Sequence, residues 1–227
     1  MIRTQNYAVI TADLIKSRFL SDKQRKLFIS YIEDFLKSTK KDFNLNYQII
    51  RGDSFQCITS NISDSFKLLL CLKYLVKAGK IFLNNNTDKK YIVNLNHTDI
   101  RLSLAIDRVS ILEKDLSKSD GKAFQKSGWG LDEISKDKYF TMIFSSSNSK
   151  NDIDFNIILN LTDEILKKTT AAQCEVILYK LRGLSEAEIS KILGINISAV
   201  NQRSKAGGWN SIKQSLLYLQ TKLSKYE

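Results

Sequence analysis

Ala8-Val9-Ile10-Thr11-Ala12-Asp13-Leu14-Ile15-Lys16-Ser17 is the stretch on which the reading of this chain turns. Residues 6–12 alternate and branch like a buried strand, and the run closes on a carboxylate, Asp13, beside a tight turn. Downstream, Arg51-Gly52-Asp53-Ser54-Phe55-Gln56 repeats the arrangement. Short strands at 45–50 and 55–59 flank a turn whose glycine permits a hairpin, and that turn holds a second carboxylate, Asp53. Two acids at strand ends suit a shared metal and phosphate site, because Mg²⁺ and Mn²⁺ take carboxylates plus phosphate oxygens rather than an all-protein cage. The competing reading is structural, since an aspartate in such a place also caps a helix or simply fills a turn.

Working outward, Ser21-Asp22-Lys23-Gln24 offers a capping box to a helix whose Leu27, Phe28, Tyr31, Ile32, Phe35 and Leu36 form one stripe. A helix over 62–79 carries too many apolar residues for a narrow stripe and is expected to be well buried. A polar region around Asn84–Asn86 and Asn94–His97 brackets a weak strand at 91–95. Residues 100–106 alternate strictly and mark a half-buried strand. A helix over about 121–135 and a strand over 139–144 follow, then a polar stretch, 145–152, that reads as a hinge. This order predicts an α+β domain over 1–150, a connector helix over 151–169 with its apolar residues from Phe155, and a small all-α unit over 170–227.

Composition limits the classes. With 43% hydrophobic and 26% charged residues in 227, the chain reads as an ordinary globular protein of the cytoplasm. Its most apolar windows are too short and too polar-flanked for a membrane span, and residues 1–20 read as a first strand rather than a signal peptide. Cys57, Cys71 and Cys174 lack partners at ligand spacing and read as reduced core residues, and the lone His97 as a surface histidine. The net charge is +11; residues 170–227 hold 8 Lys/Arg against 4 Asp/Glu, +4, so this short segment is the more basic per residue.

That segment contains Leu184-Ser185-Glu186-Ala187-Glu188-Ile189-Ser190-Lys191-Ile192-Leu193-Gly194-Ile195-Asn196-Ile197-Ser198-Ala199-Val200, which reads as a helix-turn-helix. Ser185 and Glu188 make a capping box, Ser190 is the small residue at the helix crossing, Gly194 the turn residue, and Ile195 and Ile197 fill the core side. Arg203 stands where an apolar residue is commoner. With the preceding helix from Thr170, the segment resembles region 4 of sigma-70-type factors and LuxR-type domains. That resemblance implies double-stranded DNA as a partner, with Ser198, Asn201, Gln202, Arg203 and Lys205 facing the major groove. A helical bundle for packing or dimerisation is the alternative, and the Trp209, Ile212, Leu216, Leu219 and Leu223 stripe is core or a homodimer seam.

The strand ending in Ala-Asp, the loop and helix, and the Gly-Asp hairpin resemble the palm of class III nucleotidyl cyclases and their GGDEF-type diguanylate-cyclase relatives. Order and spacing also resemble the SatD family over most of residues 5–145. The resemblance implies a ferredoxin-like palm sheet with covering helices and a nucleoside triphosphate as ligand. Asp13 and Asp53 would hold Mg²⁺ or Mn²⁺, and the backbone of Leu14, Ile15, Lys16 and Ser17 would face the triphosphate. The family's Gly-x-Ala-x-Asn-x-x-x-Arg helix is matched at Gly121-Lys122-Ala123, but Gln125 stands at the Asn position and Trp129, read as a core residue, at the Arg position. An indole replaces neither the charge nor the fork of a guanidinium. The expectation is therefore a DNA-binding regulatory protein with a nucleotide- and metal-binding cyclase-like domain; the alternative is an active metal-dependent cyclase or related nucleotidyltransferase.

Overall fold

The computed structural model describes residues 5–85, 99–137 and 139–226. Five strands form one sheet in the order β2-β3-β1-β4-β5, with β1 Asn6–Ile15, β2 Leu45–Arg51, β3 Ser54–Thr59, β4 Asp99–Arg108 and β5 Met142–Ser146. Neighbours are antiparallel except β4 and β5. Helices α1 (Asp22–Thr39) and α2 (Ser65–Asn85) make the β1-α1-β2-β3-α2-β4 order of a ferredoxin-like sheet, and α3 (Lys122–Lys136) is the crossover that makes β5 parallel to β4.

The sheet is expected from its sequence, and its two faces differ. Ala8, Ile10, Ala12 and Leu14 of β1 join Phe55 and Cys57 of β3 and Leu102, Leu104 and Ile106 of β4 under α1 and α2. Alternate residues turn to the other face, where Val9 and Ile58 pack on Ala123 and Phe124 of α3. Gly130 lets α3 lie close, because a Cβ there would stand 2.4 Å from the Ser103 hydroxyl. Asp13, Arg101, Gln56 and Thr11 share this second face by the same period of two.

The remaining helices are α4 (Ser149–Lys168), α5 (Ala171–Leu181), α6 (Glu186–Leu193), α7 (Ile197–Ala206) and α8 (Trp209–Leu223). The stretch read as a hinge is instead the end of β5 and the start of α4, tied by Ser146 to Asp152. Phe155 of α4 stacks on Phe144 at 4.2 Å, and Asn156 bonds both backbone groups of Phe144. Cys174, Ile177, Leu178 and Leu181 of α5 and Ile212, Leu216, Leu219 and Leu223 of α8 enter the same core as α2 and the sheet. The α8 stripe is thus buried within its own chain rather than offered as a dimer seam. Each such large apolar side chain contributes about 1.5–3 kcal/mol.

The three cysteines are buried and unlinked, and burial pushes the Cys71 thiol up to about 12. Among the described residues no helix is long and apolar enough to cross a membrane. The weak strand expected over 91–95 and His97 lie outside the described residues.

Candidate functional site

β1 runs three residues further than its pattern suggested, to Ile15, and carries Asp13 opposite Ser54 on one side and Arg101 on the other. The hairpin then brings Asp53 alongside: the Leu14 amide donates to the Asp53 carbonyl at 2.8 Å, and the Ser17 hydroxyl donates to Asp53 Oδ2 at 2.7 Å. Between them Lys16 adopts φ 60°, ψ 26°, a left-handed conformation uncommon for a residue with a Cβ, and starts the short 3₁₀ turn Ser17–Phe19.

The two predicted carboxylates therefore lie at the same end of the sheet, close enough for the charge of Asp53 to act on Asp13. Asp13 accepts from Arg101 Nη1 through Oδ2 at 3.1 Å, while its Oδ1 is buried with no hydrogen-bond partner among the described residues. Burial first, and then the charge of Asp53, push the Asp13 carboxyl above the ordinary aspartate range against the pull of Arg101. No cluster of three or more His, Cys, Asp or Glu exists among the described residues. Two carboxylates are nonetheless what Mg²⁺ or Mn²⁺ uses when phosphate oxygens complete its shell, and the orphaned Oδ1 is an acceptor that such an ion would satisfy. Asp13 and Asp53 fit the ion in that sense.

Some expected contacts are already taken. The Leu14 amide is spent on Asp53, the Leu14 side chain is in the core, the Ser17 hydroxyl serves Asp53, Ile15 pairs with Asp99 in the β1–β4 ladder and the Lys16 carbonyl accepts from the Phe19 amide, which leaves the exposed Lys16 side chain at this end. Gln125 is not there at all. It lines a cleft of about 530 Å³ with Asn6, Arg108, Lys122 and Trp129, and Asn6 pairs with Arg108 at the opposite end of β1, roughly 20 Å from Asp13 by strand rise. Trp129 is 65% exposed rather than core. The buried face of α3 is Ala123, Phe124, Ser127, Gly130 and Ile134, and Trp129 falls off it.

The basic segment has the expected local form. Ser185 and Glu188 make a reciprocal cap on α6, Gly194 ends it at φ 63°, Asn196 caps α7, and Val176, Ile189 and Val200 form a small core of their own. Ile197, expected in that core, is 52% exposed. On α7 the buried residues are Val200 and Ser204, so Ser198, Gln202 and Lys205 are exposed on the far side. Asn201 donates to Glu186, and Arg203 is half-buried, with its charge acting on Glu175 of α5. Arg203 therefore does not share the face of Ser198, Gln202 and Lys205, because its 100° step around the helix brings it back toward α5.

No protein-family model matches the chain, and no curated protein matches it. Among solved structures, two of a bacterial light-regulated adenylyl cyclase align with it at TM-score 0.45 and 10% identity over 63% of this chain. The chain spans 43% of one of those structures and 76% of the other.

Proposed function

We propose that the Asp13–Asp53 end of the sheet binds a nucleoside triphosphate or related nucleotide together with Mg²⁺ or Mn²⁺, and that the domain is a cyclase-like, metal-dependent nucleotidyltransferase. The observation that carries this reading is the convergence of two carboxylates from β1 and the β2–β3 hairpin, with the Asp13 Oδ1 left buried and unpaired among the described residues. The ion, when bound, supplies charge neutralisation of phosphate and activation of an attacking hydroxyl. The chain's own part is to orient: Ser17 fixes the rotamer of Asp53, the hairpin bond to Leu14 fixes its distance from β1, and Lys16 offers a cation at the turn. Purified protein incubated with each nucleoside triphosphate and Mn²⁺ is expected to release pyrophosphate, and Asp53→Asn to lower that rate on the order of 10²-fold or more. No release, together with no nucleotide binding in calorimetry, would sink the proposal.

A second reading, favoured by the exposed Ser198, Gln202 and Lys205 on α7, is that the basic segment holds double-stranded DNA and regulates transcription. Gln reads adenine and Lys reads guanine or phosphate. Lys205→Ala is expected to weaken duplex binding and lower its salt slope by about 1, whereas Arg203→Ala leaves the slope alone. An unchanged, salt-insensitive affinity in Lys205→Ala would remove this reading.

A further inference from the structure

Arg101 is the charge at this site that the sequence alone did not assign. It lies on β4 directly opposite Asp13, on the same face of the sheet, and among the described residues its side chain bonds there through Nη1 to Asp13 Oδ2 at 3.1 Å. The contact uses one nitrogen and one oxygen, so the planar fork of the guanidinium is only partly engaged, and both side chains reach solvent, at 23% and 31% exposure. A phosphate offers that fork a better partner, with parallel N–H···O bonds to two oxygens. A divalent cation offers it a worse neighbour, since the two positive charges would share one carboxylate.

We infer that Arg101 is the phosphate-binding residue of this site and that it exchanges partners: without phosphate it sits on Asp13 and holds divalent cations off; with phosphate it moves to the ligand and leaves both Asp13 oxygens to the cation. The inference rests on the Asp13–Asp53 site proposed above. Cation and phosphate binding are then coupled through one side chain, each strengthening the other by the same factor. The strand fixes the Arg101 backbone through the β1–β4 ladder, so the exchange needs side-chain rotation alone.

The test compares wild type with Arg101→Gln and Arg101→Lys. Mn²⁺ binding without nucleotide is followed by electron paramagnetic resonance, and binding of a non-hydrolysable nucleoside triphosphate in excess chelator by calorimetry. Arg101→Gln is expected to bind Mn²⁺ alone tighter and the metal-free nucleotide weaker, each on the order of tenfold or more, and Arg101→Lys to fall between. Opposite signs from one substitution are what a merely structural arginine cannot give. If Arg101→Gln weakens both ligands or changes neither, the exchange is refuted while the site stands. If neither ligand binds wild type or variants under any condition, the Asp13–Asp53 site itself fails and the exchange falls with it.

Discussion

Two clusters of opposite charge flank the start of β4, and they are built to different standards. On one, Lys73 of α2, 2% exposed, reaches Asp99, the Ile100 carbonyl and Thr141, while Asp163 of α4 takes the Thr141 amide and hydroxyl. On the other, Asp13 meets Arg101 through one oxygen and leaves the second buried and unbonded among the described residues. The first arrangement is closed: it ties α2, β4, the approach to β5 and α4 together, and its ammonium has a full set of acceptors. The second is open. A fold that leaves a desolvated carboxylate oxygen without a donor carries a cost that only a further partner offsets. Completeness thus separates the cluster that holds the molecule together from the one that has chemistry left to do.

The sharpest way to break this contrast is to remove Lys73. Lys73→Met keeps the length of the side chain and leaves Asp163, itself only 4% exposed, without its ammonium. Breaking a buried pair from one side costs about 3–5 kcal/mol. Urea denaturation of Lys73→Met is expected to show a loss of that size, and the double variant Lys73→Met with Asp163→Asn to recover part of it. A loss below about 1 kcal/mol would mean that the closed cluster is no more structural than the open one.

How far these features could be read from sequence follows from how local they are. The cap at Ser185 and the glycine at 194 sit within a few residues of what they satisfy, so the two-helix form of α6 and α7 was readable. Asp13 and Asp53 were legible because a strand end and a two-residue turn are local, and the sheet brings them together. Arg101 was not: it reaches Asp13 across 88 positions through the β1–β4 register, which no motif encodes. Lys73 carried a signal that was passed over, a single charge inside the apolar run Leu68–Val76 of a helix expected to be buried. Trp129 was expected in the core. The burial phase of α3 depends on Gly130 lying against Ser103, and that phase leaves the indole outside.

The open cluster makes a smaller and opposite prediction. Asp13→Asn preserves an acceptor for Arg101 and removes a charge that burial disfavours, so its effect on stability is expected to stay within about 1 kcal/mol even though metal and nucleotide binding are lost. The sign with pH is fixed by the direction of the shift. Because the folded state raises the Asp13 carboxyl above its unfolded value, the native chain holds more proton at that site once pH exceeds about 4. Asp13 therefore contributes stability that is present below the unfolded value and disappears as pH climbs through the raised one. Denaturation of wild type and Asp13→Asn in parallel, from about pH 3.5 upward, should show the variant gaining on wild type across that window and then holding a constant difference. Other carboxylates titrate in both proteins and cancel. A difference that runs the other way would mean that the ion pair with Arg101 outweighs burial, and Asp13 would then belong with Asp163 among the charges that hold the fold.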